Sequence, residues 1–257
     1  MALTLIDRNL NNNFFNLRLI ATDMDGTLTS EGKFTAKLLQ ALQELNAAKI
    51  AVLIVTGRSA GWVSGLANYL PVVGAIAENG GIFYQNNQTL ALTSISNLLE
   101  HRQKLAAAYQ QLKSEFKLQE SDDNRFRLTD WTFDNQDLTI AQLQRLDELC
   151  SAMGWGFTYS SVQCHIKPLG QDKAVGLRQV LAKFFPDYSP QQVLTVGDSP
   201  NDVSLFNPEL FPLSVGVANV VDYIDQMSYQ PAYVTQGAEG EGFCELARLL
   251  LGEKTAD

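Results

Sequence analysis

Two aspartates, Asp23 and Asp25, stand two positions apart in the stretch LIATDMDGTLTS, residues 19–30, directly after a short apolar run. Their charges repel at that spacing unless a cation or a proton intervenes. Three more polar clusters follow apolar runs in the same manner: Thr56-Gly57-Arg58, Glu78-Asn79-Gly80-Gly81, and Gly197-Asp198-Ser199-Pro200-Asn201-Asp202. Together they offer carboxylates, a hydroxyl, an amide and glycines that let backbone N–H groups approach an anion. Hard oxygen ligands of this kind suit magnesium, which is commonly held by one or two carboxylates, substrate phosphate and water. A metal between Asp198 and one of the pair relieves the repulsion. An aspartate can itself be a nucleophile toward phosphorus, forming an aspartyl-phosphate, with a second carboxyl group placed for proton transfer. Two aspartates on one tight loop supply both roles.

Competing chemistries lack their motifs. The chain has no G-x-x-x-x-G-K-[ST], no G-x-G-x-x-G after a strand and no G-x-S-x-G elbow. Its only two histidines, His101 and His165, both lie in the long interruption at 84–167.

The elements that must position these clusters alternate in type. Short apolar runs at 17–22, 50–56, 72–77, 191–196, 213–217 and 231–235 are interleaved with helical patterns, the sign of βαβ units. Leu38, Leu42 and Leu45 share one face of a helix predicted over 35–49, and a second helix is predicted over 59–70. The pattern predicts an α/β fold with a Rossmann-like, doubly wound parallel sheet, whose ligands lie outside the carboxyl ends of the strands. All four polar clusters then meet on one edge. The stretch 84–167 differs: helices around 94–116 and 139–153, a strand at 125–133 and a hairpin at 156–167. It reads as an inserted α+β cap domain, leaving 17–83 and 168–257 as the core and 1–16, with its Asn11-Asn12-Asn13 run, as a frayed N-terminal extension.

The 257 residues allow a core domain with a smaller companion, and 46% hydrophobic with 18% charged residues is ordinary globular composition. The net charge of −9 and the absence of a basic stripe predict neither nucleic acid nor an anionic membrane as partner. Cys150, Cys164 and Cys244 are odd in number and lack a C-x-x-C pair, which predicts reduced, buried thiols. Without a spanning run or a signal peptide, the chain reads as cytoplasmic. No feature fixes an oligomeric state.

The motifs DMDGT, TGR, a lysine at Lys173 opening a helix and GDSPND occur in the order of the four motifs of the haloacid dehalogenase (HAD) superfamily. The insert between the second and third motifs, and ENGG at 78–81, resemble its Cof-type, subclass IIB members, which dephosphorylate sugar phosphates and related metabolites. This resemblance implies that Asp23 is the nucleophile and Asp25 the general acid and then base. It implies phosphoryl binding by Thr56, Gly57 and Lys173, with Asn201 near the phosphate. It implies Mg2+ held by Asp23, the backbone carbonyl of Asp25 and Asp198, with Asp202 in support. The activity it implies is a magnesium-dependent phosphomonoester hydrolase for a small phosphorylated metabolite, a sugar phosphate or glycosyl-phosphoglycerate. A phosphosugar mutase and a non-catalytic phosphosugar-binding regulator are the alternatives.

Several residues also admit a purely structural role. Asp23 and Asp25 fit a turn, since Asp-Gly is a common turn pair. Thr56 and Gly57 suit a helix-capping connection as well as a phosphate. Asp202, Glu78 and Asn79 suit loops held by backbone hydrogen bonds. Arg58 divides evenly between a solvated charge and a ligand role. Met24 is expected to pack inward and His101 to lie at the surface. Arg125, Arg127, His165 and Lys167 are placed on cap strands, where charges are usually solvated. Facing the core, Arg127, His165 and Lys167 would instead read the non-phosphate end of the substrate.

Overall fold

The computed structural model describes residues 4–6, 14, 16–135 and 138–252. Strand β1 (Leu19–Thr22) is buried along its whole length, as expected of a strand covered on both faces. It pairs in parallel with β2 (Ala51–Val55) on one side and β9 (Val193–Gly197) on the other. Beyond β2 lie β3 (Gly74–Ala77), then β4 (Ile82–Gln85) and β5 (Gln88–Ala91). Beyond β9 lie β10 (Leu213–Gly216) and β11 (Tyr233–Val234), giving the order β11-β10-β9-β1-β2-β3-β4-β5. Only β4 is reversed, so the β3–β4 and β4–β5 pairings are antiparallel. The chain therefore leaves β1 in two directions, and the carboxyl ends of β1, β2 and β9 sit at the switch point where a ligand crevice forms.

Alternation along β1 feeds two cores. Ile20 packs with Leu38, Leu42 and Leu45 of α1 (Ala36–Ala47), Val63 of α2 (Ala60–Tyr69) and Phe243 of α6 (Glu239–Leu250). Leu19 and Ala21 pack on the opposite face with Leu177 and Val180 of α5 (Lys173–Phe184). Thr35 caps α1 by accepting from Leu38 N at 3.2 Å, and the leucine stripe expected from spacing is the buried one. Met24 packs inward, 2% exposed. All three cysteines are buried thiols.

A second, antiparallel sheet joins β6 (Trp131–Asp134), β8 (Gln163–Pro168) and β7 (Trp155–Tyr159) in the order β6-β8-β7. Helices α3 (Leu98–Glu115) and α4 (Ile140–Ala152) cover one face, burying Leu105, Tyr109, Leu146, Cys164 and Ile166 together. Period two then turns Gln163, His165 and Lys167 of β8 to the other face.

Four expectations need correcting. The β4–β5 hairpin, Tyr84 included, pairs within the large sheet, so the smaller unit starts beyond Ala91 rather than at 84. The strand expected over 125–133 is confined to β6, because the Asn124 side chain donates to Ser121 O and Thr132 O and accepts from Thr132 N, which bends 122–126 into a 3-10 turn. Arg125 and Arg127 thus leave the sheet. His101 is half-buried, with Nε2 2.9 Å from Thr129 O, instead of lying free on the surface. The run at 11–13 lies outside the described residues, but Thr4–Ile6 add to β11 through Val234 N to Thr4 O and Ile6 N to Val234 O, both 2.9 Å.

Candidate active site

Strand ends and one helix start bring the site together. Asp23 leaves β1, Asp198 leaves β9, and Lys173 is the first residue of α5, whose N-cap Asp172 accepts from Val175 N at 2.8 Å. Lys173 Nζ donates to Asp23 Oδ1 at 2.5 Å and to Asp202 Oδ1 at 2.7 Å, with the lysine side chain wholly buried. Burial opposes the ammonium charge, yet Asp202 and Asp23 raise the Lys173 pKa above its ordinary value. Burial pushes the Asp23 carboxyl up to about 7, against the lowering pull of Lys173.

Asp198 accepts from Thr27 Oγ1 at 2.8 Å and from Asn219 Nδ2 at 3.0 Å. Gly26 is left-handed (φ 77°), and a Cβ there would lie 2.6 Å from Asp198 Oδ2, so the loop needs a glycine to admit this carboxylate. Both oxygens of Asp202 are engaged: Oδ1 by Lys173, and Oδ2 by the backbone N–H groups of Asp198 and Ser199 at 3.0 and 3.2 Å. Asp202 is thus a loop-holding residue, as its structural reading had it.

Asp23, Asp198 and Asp202 each place a carboxylate oxygen within 4.8 Å of the others. Three buried carboxylates against one ammonium leave a local excess of negative charge, which a hard divalent cation fits. Burial, reinforced by Asp23, raises the Asp198 pKa well above the usual carboxylate range. Asp198 accepts one bond on each oxygen, and Asp23 accepts one on Oδ1. The Asp25 side chain is directed elsewhere: Arg58 donates to it through Nε (2.8 Å) and Nη2 (2.6 Å). Arg58 is therefore neither a free solvated charge nor an open ligand.

Thr56 Oγ1 accepts from Arg58 N at 3.1 Å. The N-cap position of α2 is Ser59, and the first helical N–H, that of Ala60, donates to Glu78 Oε1 at 2.8 Å, so capping falls to a distant carboxylate rather than to Thr56. Asn201 Nδ2 donates to Asn79 Oδ1 at 3.0 Å, while Asn79 Nδ2 is buried with no partner among the described residues. Asp23, Asp25, Thr56, Gly57, Arg58 and Asn201 line one small cavity, closed on its far side by Ser160, Val162, Gln163 and His165 of the β7–β8 hairpin.

Arg125 is exposed, but Arg127, His165 and Lys167 are not free solvated charges. Arg127, fully buried, pairs with Asp123 and Asp130 at 2.9 Å each and donates to Gly57 O at 2.9 Å and Gln163 Oε1 at 2.9 Å. Glu78 accepts from Leu128 N, Thr129 N and Thr129 Oγ1, a second tie between the large sheet's edge and the loop before β6. Lys167 donates to Gln171 O at 2.5 Å, and His165 Nδ1 lies 2.9 Å from Asp130 Oδ2. Sequence reasoning missed Thr27, Asn219, Asp123, Asp130 and the hairpin residues Ser160 and Gln163. Thr27 carried a signal, standing inside the DMDGT motif. Asp123 and Asp130 stand four and three residues from Arg127, and the rest depend on contacts distant in sequence.

The parallel sheet, the switch-point carboxylates and the separate antiparallel unit define a phosphatase of the HAD-like hydrolase class. The family model for sucrose-6F-phosphate phosphohydrolase matches residues 16–246, and the chain belongs to that family. A phosphoglycolate phosphatase from Haloarcula marismortui is 30% identical over 234 residues, covering 88% of this chain and 94% of its own. A solved Thermoplasma acidophilum structure superposes with a TM-score of 0.73 at 21% identity, over 91% of this chain and 98% of its own. The sucrose-phosphatase from Synechocystis, solved with sucrose and phosphate, gives 0.64 at 18% identity, over 90% and 96%. Among the described residues no helix is long and apolar enough to cross a membrane.

Proposed function

We propose that this phosphatase is a magnesium-dependent phosphomonoester hydrolase acting through an aspartyl-phosphate on Asp23, with a sugar phosphate or glycosyl-phosphoglycerate as substrate. The observation that carries it is the buried Lys173 ammonium between Asp23 and Asp202, with Asp198 beside them. Bound Mg2+, held by Asp23, Asp198 and the Asp25 carbonyl, would neutralise phosphoryl charge. Lys173, Thr56, the Gly57 amide and Asn201 would orient the phosphoryl oxygens. Asp23 attacks phosphorus and the bond to the alcohol oxygen breaks, while Asp25 delivers a proton to that oxygen. Asp25 then takes a proton from water, which attacks phosphorus, releases phosphate and restores Asp23. The cap hairpin over the cavity excludes bulk water from the first step and must part for the second.

The named relatives act on different alcohols, so the leaving group is set by this chain's own cap. Phosphate release from a panel of phosphorylated metabolites with magnesium tests the reading. Turnover of several esters supports it, and exchange of phosphate between sugars without net release would mark a mutase instead.

A further inference from the structure

Of the cap's three inward basic residues, Arg127 is fully engaged by two carboxylates, a carbonyl and an amide oxygen, and Lys167 gives one bond to Gln171 O. His165 differs. Asp130 accepts two bonds from Arg127 Nη1, at 2.9 and 3.0 Å, so it stays a carboxylate, and its contact with His165 puts the ring hydrogen on Nδ1. Burial also lowers the pKa of this ring, whose residue is 1% exposed, and so favours the neutral form. Nε2 is left as a lone-pair acceptor with no hydrogen bond from any described residue.

That nitrogen faces the catalytic cavity. A Cβ on Gly57 would lie 3.1 Å from His165 Cε1 and 3.2 Å from Nε2, so the ring packs directly against the phosphate-binding loop, with little room for a side chain there. Apart from this neutral ring, Arg58 is the one basic side chain lining the cavity among the described residues, and Asp25 occupies it. The cavity therefore presents an acceptor with no donor among the described residues, and no basic side chain free of a carboxylate partner.

We propose that His165 Nε2 accepts a hydrogen from a hydroxyl on the alcohol half of the substrate, which makes the preferred ester the phosphate of a neutral polyhydroxy alcohol rather than of a hydroxy acid. Asp130 and Arg127 are positioning residues that fix the ring's tautomer. The proposal rests on the phosphatase reading and adds the chemistry of its leaving group. A site built to bond a substrate hydroxyl discriminates strongly against an analogue that lacks it, because its own polar group is then left unpaired.

The test compares kcat/KM for glucose 6-phosphate and glycerol 3-phosphate with that for propyl phosphate and 2-phosphoglycolate. The wild type should favour at least one hydroxylated ester over both others by about tenfold or more. His165→Ala should bring that preference to within about twofold of unity by losing only the hydroxylated ester, and His165→Gln, which keeps an oxygen acceptor, should retain part of it. Equal losses on every ester, or a wild-type preference for 2-phosphoglycolate, would overturn the proposal. Should the variants not fold, 15N NMR of the wild type decides, since the chain has only two histidines. A neutral Nδ1–H ring at His165 supports the proposal, and an Nε2–H ring or an imidazolium at pH 7 overturns it. Release from no ester at all would sink the phosphatase reading while leaving this tautomer measurement interpretable.

Discussion

Arg58 holds both carboxylate oxygens of Asp25, Nε at 2.8 Å from Oδ2 and Nη2 at 2.6 Å from Oδ1, with its guanidinium 5.2 Å over the Trp62 ring. The arginine therefore fixes the orientation of the group assigned to proton transfer. A lysine cannot reproduce that two-point grip.

Arg58→Lys should accordingly behave more like Arg58→Ala than like the wild type. Misplacing an acid/base group by about 1 Å can cost on the order of 100-fold, so kcat for a sugar phosphate should fall by at least about tenfold in both variants. A nitrophenyl ester, whose leaving group needs no proton, should suffer less in its first step. Steady-state kinetics on both esters check this, and a lysine variant as fast as the wild type would show that the paired contact is dispensable.

The excess negative charge around Asp23, Asp198 and Asp202 predicts that magnesium stabilises the fold as well as activating it. At a concentration about 100-fold above its dissociation constant, a ligand of the native state adds about 2.7 kcal/mol, which a melting curve resolves easily. Asp198→Asn should lose most of that Mg2+-dependent rise in Tm and need far more magnesium for turnover. Calcium, larger and taking more ligands, should bind without supporting full activity. An unchanged magnesium titration in Asp198→Asn would remove that residue from the ligand set.

Burial lowers the His165 pKa, which gives stability a definite dependence on pH. The unfolded chain takes up a proton near pH 6.5 that the folded ring resists, so the unfolded state binds more protons as pH falls through that value. The contribution of His165 to stability should then be fully present above about pH 6.5 and decline below it, by up to about 1.4 kcal/mol for each pKa unit of depression. His165→Asn should flatten this part of the curve. Denaturant midpoints from pH 5.5 to 8 measure the difference, and parallel curves for the two proteins would contradict it.

Most of the core was legible because its signals are local. Asp23, Asp25, Asp198 and Lys173 each follow a strand or open a helix, and the parallel topology carries strand ends to one edge. The leucine stripe of α1 was legible for the same reason. The cap was legible as a unit but not in its working parts. Arg127 sits in a run that looks like a half-exposed strand, yet the Asn124 side chain supplies bonds that a strand partner would have made, and the arginine turns inward to two aspartates. Nor could the partner of Asp25 be read: Arg58 is 33 residues away, and a charge at a helix start is as often solvated as paired. The part of the β4–β5 hairpin beyond Phe83 reads as cap from sequence because an antiparallel edge on a parallel sheet breaks the βαβ pattern.

The central claim is that Asp23 becomes phosphorylated and that Asp25 is needed twice, and one rapid-quench measurement tests it most directly. Asp25→Asn enzyme mixed with nitrophenyl phosphate and magnesium keeps its nucleophile, and its leaving group departs without protonation, but it lacks the base that activates water. The account predicts a burst of about one nitrophenol per active site followed by near arrest, with the phosphoryl group recovered on Asp23. Asp23→Asn should show neither burst nor turnover. Steady turnover of Asp25→Asn near the wild-type rate, or persistent hydrolysis by Asp23→Asn, would contradict the covalent mechanism.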